Sequence, residues 1–75
     1  LNTLPTTEDY LNAGYCQWAK GDAQRAAELF GNWITKGNKN RDQLLDEFKS
    51  DAEILNLYNI QETDWLLMLT LAKPL

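Results

Sequence analysis

The chain reads as an all-α protein, and three features say so. Strand signals are missing: the 75 residues contain no Val and no sustained alternation of apolar and polar positions. Apolar residues instead recur at spacings of three and four, most clearly at Ala23, Ala26, Ala27, Phe30, Trp33 and Ile34. The periodic stretches are also punctuated by helix starts and stops, as in Gly21–Asp22 and in the turn Lys36 to Asn40.

The first helix is expected to begin near Thr6 or Thr7. The stretch PTTED offers a hydroxyl cap followed by acids, which oppose the positive end of a helix. It should run to about Lys20 and stop at Gly21. Asp22 then caps a second helix, which Gly37 ends. So short a link between the two forces an antiparallel pair. Small residues on the facing sides, Ala13 and Gly14 against Ala26 and Ala27, let the axes come close.

Asn40 is the expected cap of a third helix, with Gln43 placed to complete a capping box. Leu44, Leu45 and Phe48 are its apolar side. Ser50 to Glu53, SDAE, repeats the capping-box pattern and should restart or bend the helix, with Ile54, Leu55 and Leu57 continuing that side. YNIQETD breaks the pattern again. A last helix is expected over roughly Glu62 to Ala72, stopped by Pro74. Its residues Trp65, Leu66, Leu67, Met68, Leu69 and Leu71 surround most of its circumference, which predicts burial on more than one side.

Composition narrows the function. A chain of this size buries only about 60% of its unfolded surface, so the core is thin. An apolar content of 44% argues against disorder. The net charge is −4, and the seven basic residues are scattered from Lys20 to Lys73, each near an acid. Nucleic acid and anionic membrane surfaces both want clustered Lys and Arg, and are disfavoured. One cysteine, Cys16, excludes an internal disulfide. The apolar run from Trp65 to Ala72 is too short to span a bilayer, so no membrane insertion is expected. The chain begins with Leu1 and shows no signal peptide, and it reads as a piece of something longer.

One unit in this order resembles the tetratricopeptide repeat, a helix–turn–helix of 34 residues. Tyr10 takes the place of its early aromatic and Ala13–Gly14 that of its small pair. Gly21–Asp22 matches the turn, Ala26 the packing alanine and Phe30 the second-helix aromatic, all within Glu8 to Gly37. Gln17 stands where the family usually has Tyr, Trp33 where it prefers a small residue, and the closing proline is absent. The second half is similar to the closing segment of large bacterial repeat proteins, especially those of Bacteroidetes. Asn12–Ala13–Gly14 matches the start of their final repeat, and Phe48, Asp51, Leu55, Ile60, Asp64 and Leu67–Met68–Leu69 match their tail. The resemblance implies one domain over 1–75: a repeat-like helix hairpin at about 6–37, then two or three short capping helices over 38–75. It implies protein–protein interaction or scaffolding, with no catalysis and no cofactor.

The residues themselves favour the same class. Histidine is absent, which removes the common general base and the Ser–His and Cys–His pairs. Cys16 reads as a small buried thiol. Asp42, Asp46, Glu47 and Asp51 have no calcium-loop spacing, and Lys49 lies among them, so they read as a solvated helix face rather than a metal site. Asp64 is expected in the first turn of the last helix. Leu11, Tyr15 and Trp18 form one patch on the first helix. The resemblance makes this the side that lines a peptide-gripping groove, with Glu8 and Asn12 as its polar rim and Tyr15 and Trp18 partly exposed. The competing view packs the same side chains against an upstream repeat or the terminal helices. Trp65, Leu67 and Met68 read as part of a capping core, or as a partner-helix surface. The expected function is therefore a non-enzymatic module that binds a protein or peptide, at the end of a helical solenoid. A regulatory or sensory helical domain attached to a signalling or transcription protein is the rival.

Overall fold

A computed structural model describes residues 5–72, which form five α-helices and no strand. They are α1 (Thr7–Ala19), α2 (Ala23–Gly37), α3 (Arg41–Ser50), α4 (Ala52–Leu57) and α5 (Glu62–Leu71).

The starts are set by local polar chemistry. Thr6 and Asp9 close a capping box on α1: Asp9 N–H donates to Thr6 Oγ1, and Thr6 N–H donates to Asp9 Oδ2. Asp22 accepts from the Arg25 N–H at the head of α2. Asn40 and Gln43 form the expected box on α3. Asp64 sits in the first turn of α5 and accepts from the Gln61 N–H at 2.9 Å.

Three of the stops share one geometry. Gly21 (φ 91°), Asn38 (φ 52°) and Asn59 (φ 62°) all take the left-handed conformation. After each, the next N–H reaches back five residues: Asp22 to the Gln17 carbonyl, Lys39 to Ile34 and Ile60 to Leu55, at 2.8–2.9 Å. This arrangement satisfies carbonyls that a helix end otherwise leaves bare. The expectation that Gly37 makes the second stop needs correcting. Gly37 is still helical and Asn38 makes the turn. Gly37 is small for another reason: a Cβ there would stand 2.9 Å from Thr7 Cγ2.

SDAE does not form a capping box. Ser50 is the last residue of α3, and the Asp51 carboxylate caps no backbone N–H. α4 therefore follows α3 as a bent continuation, with Leu55 N–H donating to the Asp51 carbonyl. Pro74 lies outside the described residues.

α1 and α2 run antiparallel, as the positions along them require. Thr7 meets Gly37 at one end, Gly14 meets Phe30 in the middle, and the chain reverses at Gly21. A Cβ on Gly14 would fall 2.5 Å from Phe30 Cε1, so the glycine makes room for the ring. α3 lies against this pair, and α5 returns onto α2 and α3. Phe30 and Phe48 are the centre of the core, with ring centroids 5.3 Å apart and edge to face. Tyr15, Trp18 and Trp65 close around them.

Two expected apolar sides are only half right. On α4, Leu55 is fully buried while Ile54 and Leu57 face solvent. On α5, Trp65 and Met68 are buried and Leu69 is half-buried, but Leu66 is 63% exposed, Leu67 61% and Leu71 46%. α5 covers α2 and α3 with one side, not with its whole circumference.

Candidate functional site

The five residues expected to form a groove divide into two groups. Glu8 and Asn12 lie on the exposed side of α1. Leu11, Tyr15 and Trp18 are buried, with Tyr15 only 6% and Trp18 only 8% exposed. The expected exposure of these two rings is corrected: both are core residues. The physical reason is α3, whose Phe48 ring packs 6.2 Å from that of Tyr15 and 5.1 Å from that of Trp18. Phe30 supports both rings from α2.

The Tyr15 hydroxyl is also held internally. Tyr15 Oη donates to Asp51 Oδ2 at 2.6 Å, tying α1 to the α3–α4 bend. Burial pushes the Tyr15 phenol well above its ordinary range. The bond to Asp51, and then the charges of Asp51, Glu47 and Glu8, push it the same way. Nothing in the sequence signals this link, because SDAE looks like a cap and Tyr15 lies 36 residues from Asp51.

The other sequence candidates are dispersed. Cys16 is exposed, which corrects the expected buried thiol. It follows Tyr15 by one residue, about 100° around the helix, and so points away from the core. Asp42 and Asp46 are exposed and Asp51 is committed to Tyr15. No group of acidic or cysteine side chains among the described residues could hold a metal ion. No helix among them is long and apolar enough to cross a membrane.

The large apolar side chains left in solvent lie on α4, just after it, and on α5. Ile54, Leu57 and Tyr58 are exposed on and just after α4, and Leu66, Leu67 and Leu71 on α5. Leu67 and Leu71 are one turn apart and share a side. Leu71 also lines a groove against α2, whose residues Ala23, Ala27 and Gly31 line it in turn. Beneath α5, the Trp65 indole N–H is buried with no acceptor among the described residues.

The chain matches no family model, no curated protein and no solved structure. The exposed leucines could have been found in the sequence: six large apolar residues within Trp65 to Leu71 are more than one side of a seven-residue stretch can bury.

Proposed function

We propose that this chain is a non-enzymatic protein–protein interaction module of the tetratricopeptide kind, forming the terminal part of a helical solenoid. The observation that carries this reading is the outer side of α5. Leu66, Leu67 and Leu71 stand in solvent there, while Trp65 and Met68 anchor the same helix to the core. The end of a solenoid needs a polar outer face to stay soluble, so this side of α5 supports the interaction part of the reading and not the terminal position. An apolar outer face on an anchored helix is a surface to be covered by another chain or segment.

The order of contacts supports the repeat part of the reading. α1 pairs with α2, α3 lies against them, and α5 returns onto α2 and α3. A second helix pair stacked on a first would make contacts in that order. The close approach at Gly14 and Phe30 and the left-handed turn at Gly21 fall on the residues that carry the family resemblance.

Capture of partner proteins by the full-length protein, wild type against the Leu66→Asp, Leu67→Asp double variant, tests the function. A partner that binds saturably to wild type and is lost from the variant is expected. If no protein is retained in a manner that depends on this side of α5, the interaction reading fails.

A further inference from the structure

Two local signals point to a placement of α4 that the structure does not adopt. The first is SDAE, in which Ser50 is the natural N-cap and Glu53 closes the box. In the structure Ser50 is still helical, the N-cap is Asp51, and no side chain caps α4. The second is the apolar side of α4 and its C-cap, Tyr58. Ile54, Leu57 and Tyr58 recur at spacings of three and four, yet all three are exposed, while Leu55 alone on this helix is buried.

The two signals agree with each other. Moving the N-cap from Asp51 to Ser50 shifts the helix by one residue, about 100° of turn. Ile54 then takes the direction that Leu55 has now, with Leu57 and Tyr58 to either side of it. Leu55 turns out as these three turn in, so apolar burial is exchanged rather than lost. What selects the present placement is a contact from elsewhere in the chain. Tyr15 Oη donates to Asp51 Oδ2 at 2.6 Å and holds the junction from α1. A hydrogen bond to a carboxylate and a helix cap are comparable in strength, so loss of the first lets the second decide.

We infer that α4 is a two-position switch, kept in its present position by the Tyr15–Asp51 hydrogen bond. In the second position Ser50 and Glu53 close the capping box, and Ile54, Leu57 and Tyr58 pack onto the core in place of Leu55. The switch exposes or hides an apolar surface, and it stands whether or not the interaction reading above does.

Nuclear magnetic resonance on the intact chain tests this. In wild type the Ser50 Cα and Cβ shifts should be helical. In Tyr15→Phe they should move to the extended range of an N-cap residue. The Glu53 amide should then exchange about ten-fold more slowly, because Ser50 Oγ accepts from it. Ser50→Ala should leave the folding equilibrium of wild type within about two-fold. In the Tyr15→Phe background it should lower that equilibrium about five-fold, the effect of a lost cap. Asp51→Ala breaks the same bond from its other end and should give the same shifts, which guards against a Tyr15→Phe chain that fails to fold. A Ser50 that stays helical in both variants overturns the proposal, as does an equal effect of Ser50→Ala in the two backgrounds. Extended Ser50 shifts already in wild type overturn it as well, because the bond would then select nothing. So does loss of the helical signal in both variants, since the bond would then hold the whole fold rather than the junction.

Discussion

At the scale of single residues, Tyr15 and Asp51 show how the core uses a polar pair. The phenol is buried against Phe30 and Phe48, and its Oη donates to a half-buried carboxylate. Hydrogen bonds to charged groups contribute about 1.5–3 kcal/mol, and partial exposure of Asp51 places this one toward the lower end. Tyr15→Phe should therefore cost about 1–2 kcal/mol at neutral pH, read as a lower melting temperature. The cost should depend on pH. Burial and the neighbouring carboxylates hold the phenol above its ordinary range in the folded chain. A raised pKa means that the folded state keeps a proton the unfolded chain releases. That stabilisation is complete below about pH 10 and is lost as pH rises beyond it. The melting-temperature gap between wild type and Tyr15→Phe should thus shrink by about pH 11; a constant gap would mean the phenol is not held this way. The sequence made the helical position of Tyr15 legible but not its role. The caps were readable because Thr6 and Asp9, or Asn40 and Gln43, lie three residues apart. Tyr15 becomes core only because Phe48, far along the chain, covers it.

At the scale of elements, the helices differ in how far sequence fixes their orientation. α2 has one apolar side and one polar side, and the structure buries the former: Ala26, Phe30, Trp33 and Ile34. α5 is apolar nearly all round, so no periodic signal singles out the side that meets the core. The choice falls to the shape left by Phe48 and α2, and it selects Trp65 and Met68. α4 departs from its expected apolar side for a related reason. The bend at Asp51 resets the phase, so Leu55 points inward while Ile54 and Leu57 turn outward. Substitutions should separate the two sides of α5. Met68→Ala leaves a cavity and should cost about 2–5 kcal/mol. Leu67→Lys removes no packing and should change stability by about 0.5 kcal/mol or less. Chemical denaturation of both variants measures this directly, and equal losses would show that the outer side of α5 is packed as well.

At the scale of the whole molecule, stability rests on one shared aromatic centre. Its radius of gyration, 11.5 Å, matches the roughly 11 Å expected of a compact chain this long. The chain is thus folded back on itself rather than extended, and α5 belongs to the same core as α1. A protein of this size has about 4–11 kcal/mol of stability to lose. Removing residues 61–75 takes away Trp65 and Met68, whose losses correspond to about 3–5 and 2–5 kcal/mol. Their sum is comparable to the whole, before counting the surface uncovered on Phe48 and α2. The truncated chain should therefore lose its cooperative melting transition and expose enough apolar surface to aggregate, readable by circular dichroism and light scattering. Deleting α5 and mutating its outer leucines then give opposite results. Deletion should abolish folding, whereas Leu66→Asp with Leu67→Asp should leave the fold and remove the contact. A truncated chain that stays monomeric with an unchanged melting temperature would mean that α1 to α4 fold alone. α5 would then be an appended arm, with its inner side as available to a partner as its outer one.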